Sequence, residues 1–165
     1  MARKVTTPGF EALVRYFATT NPEQAVGGNT PILLDNKKGV WLVASGSVEV
    51  FVVSLRNGQP TGARRHCLTV TTGEAIFGMP AACGSEGIGL LAVGAVGTRL
   101  IQLSQDELQS AAADESLRPR VVEVIARWVT GLSRDAWRPS RPRPRTETQL
   151  SPNSPAQLKD GERGR

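Results

Sequence analysis

Between residues 31 and 103 the chain never runs far without a glycine, and this punctuation limits what it can build. Short β-prone segments lie between the breaks, at residues 31–35, 40–44, 47–55 and 64–71. Briefer runs follow, separated by Gly73, Gly78, Gly84, Gly87, Gly89, Gly94 and Gly97, up to a last segment at 99–103. Within 47–55, Val48, Val50 and Val52 alternate with Ser47, Glu49 and Phe51, the period of a strand with one buried face. Ser45-Gly46 reads as a tight turn, and residues 56–62, which contain Asn57-Gly58, as a hairpin loop. Many short strands with turn glycines predict a β-sandwich or closed barrel over this stretch.

Helices are expected on either side. Thr7-Pro8 offers a capping residue with proline at the first helical position, and Phe10, Leu13, Val14 and Phe17 recur as one apolar stripe. That helix should close near Thr19-Thr20-Asn21-Pro22, with a turn at Gly27-Gly28-Asn29. Ser104 and Glu107 have the spacing of a capping box ahead of a short helix through Leu108 and residues 111–113. A final helix begins near Pro119. Val121, Ile125, Trp128 and Leu132 form a stripe along about three of its turns. Val122 and Val129 widen that stripe beyond one packing contact, so part of it should meet a second surface, another copy of the chain or another domain.

Charge separates a body from a tail. The 165 residues carry a net charge of +5, but residues 1–137 hold 13 Lys+Arg against 12 Asp+Glu. Residues 138–165 hold 7 against 3, five of the eleven prolines and almost nothing apolar. Such a segment cannot offset its ordering entropy, so the expected organisation is an N-terminal arm at 1–7, one domain at 8–137 and a disordered Pro/Arg-rich tail at 138–165, dispensable for folding. A nearly neutral body lacks the basic face of a nucleic-acid platform, and nucleic acid is not an expected partner. The run 88–96, free of charge and strong polarity, is under half of what crosses a bilayer, and no secretory h-region follows the N-terminus. Cys67 and Cys83 form no CxxC pair, and a cytoplasmic setting with reduced thiols is the expectation.

Residues 40–51, with the Ser45-Gly46 hairpin, and Gly73-Glu74-Ala75-Ile76-Phe77-Gly78 resemble the cyclic-nucleotide-binding domain family. The hexapeptide looks like the start of its phosphate-binding cassette, and residues 90–95 and 98–103 look like its two closing strands. The resemblance covers roughly residues 8–137 and implies a mainly β fold, a cyclic-nucleotide-binding-like jelly-roll β-barrel with helices at each end. Residues 31–35, the Trp41-containing hairpin, Gly62-Ala63-Arg64-Arg65-His66 and Trp128-Val129-Thr130-Gly131-Leu132-Ser133 resemble most closely the N-terminal region of ABC exporters for bacteriocin-type peptides with nitrile-hydratase-like leaders. In those exporters membrane and ATPase domains follow; no GxxxxGK[ST] loop occurs here.

The resemblance implies a ligand-binding segment at Gly73, Glu74, Phe77, Gly78, Met79, Pro80, Ala81 and Ala82. Where binders of cyclic nucleotides carry an acidic residue for the ribose hydroxyl, this chain has Met79. No Arg or Lys stands between Arg65 and Arg99 to meet the cyclic phosphate. A buried phosphate without counter-charge is costly, so cyclic nucleotide is not the expected ligand. Backbone N–H groups around residues 78–82 are left as a small-anion cradle; Arg99 lies on a later strand, where the family places no phosphate ligand, and would be the first side chain to test only if a cyclic nucleotide bound tightly. Metal chemistry of the cupin kind is excluded because His66 is the only histidine. His66, Cys67 and Cys83 read as ordinary structural or surface residues, and no cofactor is expected. The resulting expectation is a non-enzymatic regulatory or docking module linked to bacterial peptide export or maturation. Its partners would be a second copy or the export machinery, through Val121, Ile125, Trp128 and Leu132. The alternatives are a true nucleotide sensor with an atypical pocket and a truncated exporter fragment.

Overall fold

A computed structural model describes residues 10–80 and 86–136. The N-terminal arm, the Thr7-Pro8 cap, Ala81, Ala82, Cys83, Trp137 and the tail at 138–165 lie outside the described residues. The order of elements is α1 (Phe10–Ala18), β1 (Glu23–Val26), β2 (Ile32–Leu33), β3 (Gly39–Ser45), β4 (Ser47–Arg56), β5 (Gln59–Thr71), β6 (Ala75–Phe77), β7 (Glu86–Gly94), β8 (Thr98–Ser104), α2 (Gln105–Ala113) and α3 (Arg118–Ala136). The strands form two four-stranded antiparallel sheets, ordered β1-β8-β3-β6 and β2-β7-β4-β5. The fold is a cyclic-nucleotide-binding-like jelly roll. It is a sandwich with four strand edges, not the closed barrel that the glycine spacing also allowed.

Burial explains why β3 shows no alternation in the sequence. Trp41 and Val43 point between the sheets with Val48, Val50, Val70, Ile76, Ala92 and Leu100. Val40 and Leu42 point the other way, under Leu13 and Phe17 of α1, Leu108 of α2 and Val121 and Val124 of α3. A strand covered on both faces reads as a continuous apolar run. On β4 the expected inward face is present at Val48 and Val50. The outer face is apolar too, because Val53 and Leu55 close over Leu91 in a small third cluster. Gly89 permits this: a Cβ there would stand 2.8 Å from Leu55 Cδ1.

Three boundaries differ from expectation. β1 falls between the expected end of the first helix near Pro22 and the expected turn at 27–29; only Val26 of its four residues is buried, so no pattern marks it. It is a strand because β8 supplies a ladder, and Glu23 pairs with Arg99 at 2.6 Å. The 56–62 loop shrinks to Asn57-Gly58, both at positive φ as a two-residue hairpin turn requires, and β5 therefore begins at Gln59. Residues 86–89 extend the expected 90–95 strand into the nine-residue β7.

The capping box at Ser104 is present as expected. Glu107 N–H donates to Ser104 Oγ, and Glu107 Oε2 accepts from the Ser104 N–H at 2.7 Å. Glu107 Oε1 also accepts from Asn21 Nδ2 at 3.0 Å, tying the end of α1 to the start of α2. The Ser104 backbone bond, then the Asn21 and Ser104 side chains, hold the Glu107 carboxyl below its usual pKa.

The last helix is rotated from its expected setting. Val121, Val124 and Trp128 are buried, and Leu132 is half-buried. Ile125 is 41% exposed, and it shares the outward face with Val122 and Val129. The expected stripe of Val121, Ile125, Trp128 and Leu132 therefore mixes two faces. Spacings of three and four suit both, and only the position of the sheets decides between them.

Candidate functional site

Residues 73–78 of the expected ligand segment are bonded and packed into the protein. Gly73 stands at φ +86, a turn conformation open to glycine, and its N–H donates to the Val43 carbonyl at 2.8 Å. Phe77 ends β6 half-buried, its ring 6.1 Å from that of Trp128. Gly78 is required by close packing: a Cβ there would lie 1.7 Å from the Asn36 carbonyl oxygen. Its N–H donates to Gly39, and the Met79 N–H donates to Leu34. Two donors of the expected anion cradle are thus already engaged, so residues 78 and 79 do not serve it. The Met79 side chain and Pro80 are exposed.

Glu74, expected in the ligand segment, makes its bonds within the protein. Its Oε2 accepts from the Thr71 N–H at 2.7 Å and from Thr71 Oγ1 at 3.0 Å, closing the 71–74 turn. Its Oε1 accepts from Arg127 on α3 at 2.9 Å. Arg127 also reaches Glu123 one helical turn back. The carboxylate therefore joins the turn before β6 to the middle of α3, with its side chain only 18% exposed. The pairing spans 53 residues, and no local signal in the sequence announces Arg127.

Next to this bridge α3 and β5 leave a cleft of about 310 Å³. Leu68, Val70, Val124 and Trp128 make its apolar lining, and His66 and Arg134 stand among its polar residues. Trp128 is the wedge of the arrangement. β5 and β6 are end strands of the two sheets, and the indole packs with Val70 and Ile76 of the inter-sheet core. Gly131 lets the helix approach, since a Cβ there would meet Leu68 Cδ2 at 3.3 Å. Of the expected interaction residues, Val121 and Trp128 thus serve packing, Leu132 is intermediate, and Ile125 alone faces out.

Arg99 is not placed to help a ligand near β6. It lies two strands away on β8 and pairs with Glu23. His66 sits on the exposed side of β5, its Nε2 2.5 Å from Glu49 Oε2, with Thr69 Oγ1 donating to the same carboxylate at 2.8 Å. No group of metal-ligating side chains occurs among the described residues, and none of their helices is long and apolar enough to cross a membrane.

No family model and no curated protein matches the chain. Solved structures do match in fold. CprK complexed with OCPA is 12% identical, with a TM-score of 0.57 over 77% of this chain and 58% of that one. Oxidized CprK in complex with o-chlorophenolacetic acid gives 12% and 0.56, over 76% and 51%. The heme domain of CooA from Carboxydothermus hydrogenoformans gives 12% and 0.54, over 79% of this chain and 90% of that domain. The chain thus spans less than three-fifths of the CprK chains and nearly all of the heme domain. At such identity the likeness is one of fold.

Proposed function

We propose that this chain is a non-enzymatic regulatory or docking module in which the position of α3 is the output. The carrying observation is the Glu74 carboxylate, which closes the 71–74 turn and holds Arg127 of α3 at the same time. Anything that displaces the turn, or enters the cleft beside it, changes what holds the helix. The outer face of that helix presents Val122, Ile125 and Val129, an apolar strip suited to association. CprK, which shares the fold, is solved in complex with o-chlorophenolacetic acid, so this framework can hold a small organic molecule. The sequence resemblance to bacteriocin-type exporters suggests peptide export or maturation as the setting. A cyclic-nucleotide sensor is the weaker reading, because the Gly78 and Met79 amides are engaged and Arg99 is elsewhere.

Sedimentation velocity tests the output. The wild-type chain should dimerise at micromolar concentration, and Ile125→Glu should shift it toward monomer without unfolding it. Glu74→Gln, which weakens the hold on Arg127, should change the dimerisation constant although residue 74 lies away from the outer strip. A wild-type chain monomeric to about a hundred micromolar, well above where a specific interface holds, refutes self-association. An unchanged constant in Glu74→Gln refutes the coupling.

A further inference from the structure

We propose that the outer edge of β5 is a docking surface for an extended acidic peptide, which adds beside β5 as a further strand. This goes beyond the regulatory reading, since it concerns a sheet edge and not the turn at 71–74 or the outer face of α3.

The four strands that end the two sheets are very unequal. β1 has four residues, β2 two and β6 three, and edges this short offer little to pair with. β5 has thirteen, with register shifts against β4 at 62–64 and 67, and β4 is its one strand partner among the described residues. Its first eight residues are all exposed. The cleft against α3 is lined from His66 onward, so residues 59–65 run past it. A long strand with one partner is the geometry that an extended peptide completes through main-chain hydrogen bonds.

Charge selects the peptide. β5 carries Arg64, Arg65 and His66 in succession and no acidic residue. Arg134 stands across the cleft. The acids nearby are taken: Glu49 by His66 and Thr69, Glu74 by Thr71 and Arg127, Glu123 by Arg120 and Arg127. Arg64 and Arg134 have no ion pair among the described residues. A second copy is disfavoured as occupant, because edge-to-edge pairing would bring two such arginine runs together. An acidic strand meets complementary charge instead, and the cleft floor of Leu68, Val70 and Trp128 can take one of its apolar side chains.

The test uses the full chain and a fluorescein-labelled seven-residue peptide of alternating glutamate and valine. Fluorescence anisotropy should show saturable binding, and hydrogen exchange should slow at residues 61–66. The same peptide with alternate amides N-methylated, and a lysine–valine counterpart, should not bind. Arg64→Glu, an exposed site that leaves folding intact, should weaken binding by about three- to tenfold. Equal binding of the N-methylated peptide would overturn the proposal, since contact would then need no main-chain pairing. No binding at about 1 mM would overturn it as well. So would exchange protection confined to α3, or concentration-dependent protection of β5 without peptide.

Discussion

Val122 and Val124 are the same residue type two positions apart on α3, and the structure assigns them opposite environments. Val124 is 1% exposed beneath α3, among Leu42, Ala75 and Val121, whereas Val122 is 58% exposed. Truncation to alanine removes two methyl-sized groups in each case, worth about 1.6 kcal/mol when fully buried. At Val124 a cavity adds to this, because Trp128 and the Arg127–Glu74 pair hold α3 in place and limit its collapse, for a total of about 2–3 kcal/mol. At Val122 over half of the side chain already meets water and no cavity forms, so about 0.7 kcal/mol or less remains. For a domain of this size those values lower Tm by about 6–15 °C and by under about 3 °C. Urea titration followed by far-ultraviolet circular dichroism, at a concentration dilute enough to keep the chain monomeric, reads both. Equal losses, or a larger loss at Val122, would mean that α3 is turned the other way on the sheets, and the outward strip of Val122, Ile125 and Val129 would vanish with it.

Gly78→Ala should destabilise the fold by about 2 kcal/mol or more, because the added carbon collides with the Asn36 backbone and disturbs the bonds at Gly39 and Leu34; near-neutral stability in urea would refute this packing. The lowered carboxyl of Glu107 makes the capping box depend on pH. Since the folded form holds the charged group, its contribution is complete above pH 4.5 and is lost as pH falls through the lower folded value. Thermal unfolding between pH 6 and 3 should therefore show a smaller acid loss in Glu107→Gln than in the wild type, a difference of at most about 1 kcal/mol after solvent screening. Isothermal calorimetry should find cyclic AMP and cyclic GMP binding no tighter than millimolar; micromolar affinity for either would show that phosphate finds a counter-charge which the cassette residues 73–80 do not offer.

Local rules read from the chain were enough for several elements. The capping box at Ser104 needs only two side chains three residues apart, and the Val48–Val50 face of β4 needs only period two. Both depend on near neighbours, so the sequence alone determines them. The same holds for the β character of residues 31–103, which follows from glycine spacing and leaves sandwich and closed barrel equally allowed. Strand β1 was invisible because β8 supplies its reason to exist, 72 or more residues away in its closest pairing. The outer cluster at Val53, Leu55 and Leu91 depends on Gly89 in a neighbouring strand.

The site divides in the same way. Gly73 through Gly78 could be found by their order, but what each does could not. Gly78 answers to Asn36 across the fold, and Glu74 answers to Arg127 on a helix 53 residues later. On α3 the chain itself determined a helix with too much apolar surface for one contact. Which part of that surface is buried was decided by where the two sheets end. Trp128 enters the inter-sheet core at that open end, and its packing turns Val121 and Val124 inward and leaves Ile125 outside. Apolar spacing specifies a periodicity; the rotation of the helix is set by the partner surface, and that surface is assembled from strands distant in the chain.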